Sequence, residues 1–132
     1  MASTFYLEIV TPERTFYSGE VQSLIMPGCA GSIGILPGHE ATVTAIDTGE
    51  LKIKVNNVWK EAAIDNGFAE IMPDYTIILA NSVEWPEEID TRRAIAAKER
   101  AEERLRQKQS RIEHLRTQAA VRRALARLKV TK

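Results

Sequence analysis

Cysteine is nearly absent. Cys29 is the one thiol in 132 residues, which excludes an internal disulfide and leaves no paired-ligand spacing for a metal. No apolar run approaches the ~20 residues of a membrane span. The N-terminal stretch MASTFYLEIV lacks the basic start and apolar core of a secretory signal, so a cytoplasmic setting is expected, with a peripheral membrane partner left open. Neither GxGxxG nor GxxxxGK[ST] occurs, so no phosphate-cradling loop of those types is present. Aromatic residues stop at Trp85, and the arginines beyond it interleave with Glu99, Glu102, Glu103 and Glu113. That pattern counts against a nucleic-acid-binding surface. No nucleophile–base pair or metal constellation stands out, so no active site is expected.

What is present is a divided chain of 44% hydrophobic and 27% charged residues, the composition of a globular protein. The formal net charge of zero conceals two opposed halves. Residues 1–86 carry four basic groups (Arg14, Lys52, Lys54 and Lys60) against eleven acids, a balance of −7. Residues 87–132 carry fourteen basic groups against seven acids, a balance of +7. Opposite fields imply different surroundings for the two parts.

The first part reads as short strands. TFYLEIVT alternates apolar and polar positions, and VQSLIM, ATVTAI, LKIKV, VWKEAAI, FAEIM and TIILA follow, separated by PGCAGS, LPGHE, DTGE, NN, DNG and PD. Asn56-Asn57 is a two-residue hairpin signal, because asparagine tolerates positive φ. Gly67 marks another position where only a small side chain suits the turn. This spacing predicts a β-sandwich or small barrel over 1–86.

From Asp90 the period changes. Residues 90–128 contain no glycine or proline and are rich in the best helix formers. Glu87, Glu88 and Asp90 place acid at a helix start, favourable against the positive dipole end. Small and apolar residues recur at Ala94, Ala97, Ala101 and Leu105, then at Ile112, Leu115, Ala119, Val121, Leu125 and Leu128. The polar insert QKQS at 107–110 divides them into two helices, expected as an antiparallel hairpin over 87–132 with alanines at its seam. Alanine contacts bury little area, so at ~25 cal/mol per Å² the hairpin is expected to be weak enough to open. Cys29 and His39 are expected to be loop residues without a catalytic role.

In order along the chain, VTPERTFY, GSIGILPGH, GFAEI, TIILA and IDTRRAIAAKERAEERL resemble the ε subunit of bacterial F-type ATP synthases, equivalent to δ of the mitochondrial enzyme. The likeness spans essentially the whole chain. It implies an all-β sandwich of about ten strands followed by a C-terminal two-helix hairpin. It further implies a non-catalytic member of the rotating central stalk, with the sandwich bound to the γ subunit and the c-subunit ring and the helices facing the α and β subunits. Such a subunit sits peripherally at the cytoplasmic face of the cell membrane, touching it only through the complex. The resemblance also implies control of ATP hydrolysis by movement of the helices. The basic arm, with Arg111, Arg116, Arg122, Arg123 and Arg127, would run toward an acidic segment of β in an extended state. Its alternative is a solvated helix surface with i,i+4 pairs contributing ~0.3–0.5 kcal/mol each.

The resemblance carries one further expectation, a regulatory ATP site, with or without magnesium, on the folded hairpin. Ile89, Asp90, Arg93 and Ala94 match the family's I/L-D-x-x-R-A helix start, and Glu84, Arg123 and Arg127 match its other contributors. Guanidinium groups bind phosphate bidentately, and the carboxylates of Asp90 or Glu84 accept hydrogen bonds from adenine or ribose. Arg123 and Arg127, four apart, share one helix face. The simpler alternative makes Asp90 an ordinary N-cap with Arg93 as its partner one turn on.

Overall fold

The computed structural model describes residues 3–107 and 110–131. Ten strands lie among them: β1 Phe5–Val10, β2 Thr15–Val21, β3 Ser23–Gly28, β4 Gly31–Ile35, β5 Thr42–Ile46, β6 Gly49–Val55, β7 Val58–Ile64, β8 Gly67–Ile71, β9 Tyr75–Ala80 and β10 Val83–Glu84. A 3₁₀ turn, Pro86–Glu88, leads into helices α1, Thr91–Arg106, and α2, Arg111–Val130. Of the two expected architectures the chain forms the sandwich. One sheet has the order β2-β1-β9-β8-β5 and the other β10-β7-β6-β3-β4. Only β1 and β9 pair in parallel; the other described pairs are antiparallel.

Alternation builds the core. Leu7 and Ile9 of β1, Leu24 and Met26 of β3, Leu51 and Ile53 of β6 and Ile78 of β9 are fully buried between the sheets. The period-2 pattern sends their polar neighbours to the outer faces. Asn56 and Asn57 have φ of 50° and 63°, and close the β6–β7 hairpin between the paired Val55 and Val58. Two positive-φ residues are what a type I′ turn demands.

Two sequence expectations need correction. VQSLIM is not one strand: Val21 ends β2, Gln22 intervenes and β3 starts at Ser23. Moreover, β2 itself, TFYSGEV, hides behind Ser18 and Gly19, which dilute its alternation, yet it gains a full antiparallel ladder on β1. The second concerns Gly67, whose small size answers to packing and not to turn dihedrals. A Cβ there would lie 2.0 Å from the carbonyl oxygen of Leu79 and 2.7 Å from Cα of Ala80 on the neighbouring strand β9.

The hairpin folds back on the sandwich. α2 packs against both α1 and the outer faces of β6 and β7. A second apolar cluster joins Ala63 of β7, Ile89 of the linker, Ala94 of α1 and Ala126 and Val130 of α2, with Leu128 at its margin. The seam is thus built from Ala94, Ala101, Thr117, Ala124 and Ala126, whereas Ile112, Leu115 and Leu125, expected in the stripe, are exposed. Of the polar insert, Lys108 and Gln109 lie outside the described residues. Its ends are clear: Gln107 terminates α1, and Ser110 caps α2 by accepting from Glu113 N–H at 3.2 Å.

Candidate functional site

The junction between sandwich and hairpin begins with local caps. Asp90 has an extended backbone, and its Oδ1 accepts from the backbone N–H of Arg93 at 3.2 Å, satisfying one of the orphan donors of the first turn of α1. The pairing expected between the Asp90 and Arg93 side chains is therefore a bond to the Arg93 main chain. Two residues upstream, Glu88 Oε1 accepts from the N–H of Trp85 at 2.9 Å. The other Glu88 oxygen meets Nη2 of Arg14, from the β1–β2 turn, at 2.8 Å. The hydrogen bond from Arg14 holds the Glu88 carboxyl below its ordinary range, with the Trp85 amide adding to the effect. Glu88 in turn raises Arg14. Arg14 also donates to the carbonyl of Val83 at 3.3 Å and lies over the Phe16 ring, which stacks against Trp85 at 4.5 Å. The linker is clasped to the sandwich at the point where the chain changes from strand to helix.

Beside that clasp is a cleft of about 210 Å³, lined by Glu84, Glu88, Ile89, Asp90, Arg93, Ala94, Ala97, Arg100 and Arg127. Six of the residues singled out in the sequence, Glu84, Ile89, Asp90, Arg93, Ala94 and Arg127, meet here. They come from the last strand, the linker and both helices. Ile89 and Ala94 are buried and form its apolar floor. Arg127 Nε donates to Glu84 Oε1 at 2.7 Å, tying α2 to β10 across the cleft.

Arg123 is the exception, because it lines an adjoining space of about 300 Å³ between the helices, with Ala97, Arg100, Ala101, Arg104, Arg116, Thr117 and Ala120. The two spaces share Ala97 and Arg100. Alone the first is small for an organic ligand; together they enter the usual range of ~300–1,000 Å³. Sequence reasoning missed Arg100. The available signal was its spacing of seven from Arg93, two helical turns along the same face.

Chemically the cleft is lined by three arginines, Arg93, Arg100 and Arg127, and three acids, Glu84, Glu88 and Asp90, of which Glu84 is paired with Arg127 and Glu88 with Arg14. Fixed donor forks suit a polyanion, and carboxylates suit the amine or hydroxyl groups of the same ligand. Of the expected basic arm, Arg111 and Arg116 are exposed, whereas Arg122 ion-pairs with Asp47 and Arg127 with Glu84. Cys29 is exposed in the β3–β4 turn, and His39 Nδ1 lies 2.7 Å from the Glu40 carbonyl oxygen. Among the described residues no group of three or more His, Cys, Asp or Glu side chains is arranged to hold a metal ion. Among the described residues no helix is long and apolar enough to cross a membrane.

Residues 4–86 match the family model for the β-sandwich domain of the ATP synthase delta/epsilon chain, and residues 87–132 match that for its long α-helix domain. The chain belongs to the ATP synthase delta/epsilon family. Relatives agree along the full length. It is 48% identical over 129 residues to the ATP synthase epsilon chain of Ruminiclostridium cellulolyticum, covering 98% of this chain and 96% of that one. It is 51% identical over 131 residues to that of Caldanaerobacter subterraneus subsp. tengcongensis, covering 98% and 95%. At the level of fold, it superposes with TM-score 0.80 and 21% identity on a chain in the cryo-EM structure of the Euglena gracilis mitochondrial ATP synthase, covering 90% of this chain and 76% of that one. A chain from the Tetrahymena thermophila mitochondrial ATP synthase central stalk and c-ring gives 0.68 at 14% identity, with 98% of each covered. As an epsilon-family chain it is a non-catalytic subunit type.

Proposed function

We propose that this chain is the ε subunit of an ATP synthase central stalk, at the cytoplasmic face of the membrane, and that its junction cleft is a regulatory ATP site. The acidic sandwich binds γ and rests on the c-subunit ring, while the basic hairpin faces the α and β subunits. With ATP in the cleft, phosphates lie on Arg93, Arg100 and Arg127 and the adenosine against Glu84, Asp90 and the floor of Ile89 and Ala94. Arg123 reaches the polyphosphate end from the adjoining space. The observation that carries the reading is the convergence of β10, the linker, α1 and α2 on one cleft: a ligand there holds four segments together. Since it binds only the docked state, it stabilises that state by RT ln(1 + [L]/Kd), about 2.7 kcal/mol at one hundred times Kd. Without it, the docked state loses that added stability and the hairpin opens more readily; once open, the arm extends along γ toward β and impedes rotation in the hydrolysis direction.

Calorimetric titration of ATP into the isolated chain, with and without magnesium, tests the site. Arg93→Ala, Arg100→Ala and Arg127→Ala each remove one charge-assisted contact of ~1.5–3 kcal/mol, and so weaken binding by about 10- to 150-fold. Absence of heat at millimolar ATP, or variants that bind like the parent, refutes the proposal.

A further inference from the structure

The hairpin rests on the sandwich through a charge pattern that the sheet register and the helix period impose together. Glu50 of β6 and Glu84 of β10 both stand opposite Ala63 of β7 in the strand pairing. Directly opposed residues of antiparallel strands share a face, so one row across this sheet reads carboxylate, alanine, carboxylate. Strands ~4.8 Å apart put the two acids on either side of the apolar contact, about 10 Å from each other. Asp47, in the turn before β6, extends the acidic side.

α2 presents the complementary row. At about 100° per residue, Ala126 and Val130 form the centre of its docked face, Arg122 and Lys129 fall on one flank and Arg127 on the other. The contacts obey that geometry. Ala126 and Val130 join Ala63 in the apolar cluster. Arg122 pairs with Asp47 and Lys129 Nζ lies 3.7 Å from Glu50 on one flank, while Arg127 pairs with Glu84 at 2.7 Å on the other. Arg122 holds Asp47 below the ordinary carboxylate range. Glu50 is the informative member: its side chain is only 10% exposed, Oε1 meets Lys52 at 3.2 Å, and Oε2 has no hydrogen-bond partner. The nearly buried Glu50 carboxylate is compensated by Lys52 on its own strand and by Lys129 of α2, so removing the helix leaves Oε2 without its described ion-pair partner.

We infer that Asp47, Glu50 and Glu84 form an acidic track on the sandwich that latches α2 by its own basic residues, fixes the helix's rotation, and keeps Arg122, Lys129 and Arg127 from any external acidic protein surface while it is closed. The latch and an acidic partner use the same cations, so they exclude one another. Screening opens it, because every pair except the Glu50 end is partly exposed to solvent. The device operates without nucleotide, so it stands or falls separately from ATP binding.

Hydrogen exchange of the full-length, nucleotide-free chain reads the opening of α2, with the amides of β1 and β9 as the internal reference. Raising salt from ~0.01 to ~1 M shrinks the Debye length from ~30 to ~3 Å and accelerates exchange in α2 alone. Arg122→Gln, Arg127→Gln and Lys129→Gln each raise α2 opening by about 1.5- to 5-fold, the range of partly exposed pairs. The exchanged pair Asp47→Arg with Arg122→Asp restores protection relative to either change alone. Exchange in α2 that ignores salt and all three helix variants overturns the latch, leaving the alanine contact as the sole docking force. Equal acceleration in β1 and β9 overturns it too, since the sandwich and not the docked helix would then be responding, and so does failure of the exchanged pair to restore protection.

Discussion

Replacing Ala126 by leucine will undock α2 and leave the sandwich folded. Ala126 is 6% exposed and faces Ala63, which is 4% exposed, across the helix–sheet contact. The gap around them, bounded by Thr48, Ile64, Asp65, Ser82, Glu84, Arg123 and Arg127, has about 10 Å³ of free space. That is room for about one water at most. Leucine brings three more carbons, each comparable in bulk with a water molecule's ~30 Å³ share of liquid volume. They cannot be accommodated unless the helix lifts. Overpacking of this kind costs about 1–3 kcal/mol. Lifting α2 also separates Arg127 from Glu84 and Lys129 from Glu50, so the upper part of that range applies. The equilibrium for local opening then rises by about 30- to 150-fold. Hydrogen exchange resolved by segment measures it: amides of α2 lose protection, while those of β1, β3, β6 and β9 keep theirs. Unchanged protection in α2 would refute the reasoning, because the seam would have absorbed three carbons at no cost. Loss of protection in β1 and β9 to the same degree would refute it as well, by making hairpin and sandwich one cooperative unit.

Gly67→Ala drives a Cβ to 2.0 Å from the Leu79 carbonyl oxygen, and the β8–β9 ladder must part to admit it. The expected loss is about 3 kcal/mol or more and a Tm lower by roughly 10 °C by calorimetry; an unchanged Tm would show that the strands separate freely there. Asp90→Ala removes the cap of α1 at a cost of about 1 kcal/mol, whereas Asp90→Asn retains it. Equal losses in thermal unfolding for the two would remove the cap from the explanation. Deleting residues from Asp90 onward leaves every member of the inter-sheet core in place, so the remaining sandwich unfolds cooperatively on its own; a truncated chain without a transition contradicts this. Asp47 and Glu88 both have carboxyls held below their ordinary values of 3.8 and 4.5, the first by Arg122 and the second by Arg14. Each binds protons more weakly folded than unfolded, so their stabilisation is complete above about pH 5 and is lost as pH falls through the depressed values. Thr48 N–H on Asp47, and Trp85 N–H with the nearby Glu13 and Glu84 around Glu88 and Arg14, are the other groups that bear on this titration. Trp85 fluorescence in a Trp59→Phe background follows it, and a midpoint above pH 5 would contradict the assignment.

Much of this architecture was legible along the chain because its signals are local. Alternation in LKIKV and FAEIM, the Asn56-Asn57 turn and the glycine-free run from Asp90 each depend on neighbours a few residues away. Asp90 as a helix cap and the grouping of Asp90, Arg93 and Ala94 were readable for the same reason, since one helical turn brings them together. β2 escaped because Ser18 and Gly19 weaken its pattern, and only pairing with β1 makes it a strand. Gly67 looked like a turn residue, but the atom that forbids a side chain belongs to Leu79, twelve positions away.

By itself, then, the sequence determined the two-part division, the strand and helix periods, the opposed charges of the two halves and the residues competent to bind phosphate. Periodicity and composition are properties of a segment and its immediate neighbours. Tertiary structure alone decided which cations are engaged. Arg111, Arg116, Arg122, Arg123 and Arg127 read as one continuous basic arm, yet Arg122 and Arg127 are turned onto Asp47 and Glu84, and Lys129 beside them onto Glu50. Their partners lie on strands whose register puts a carboxylate on each side of Ala63, and no local pattern in α2 encodes that row. Burial of Ala126 against Ala63, together with the ion pairs that flank it, sets the rotation of the helix, and with it which charges remain facing solvent.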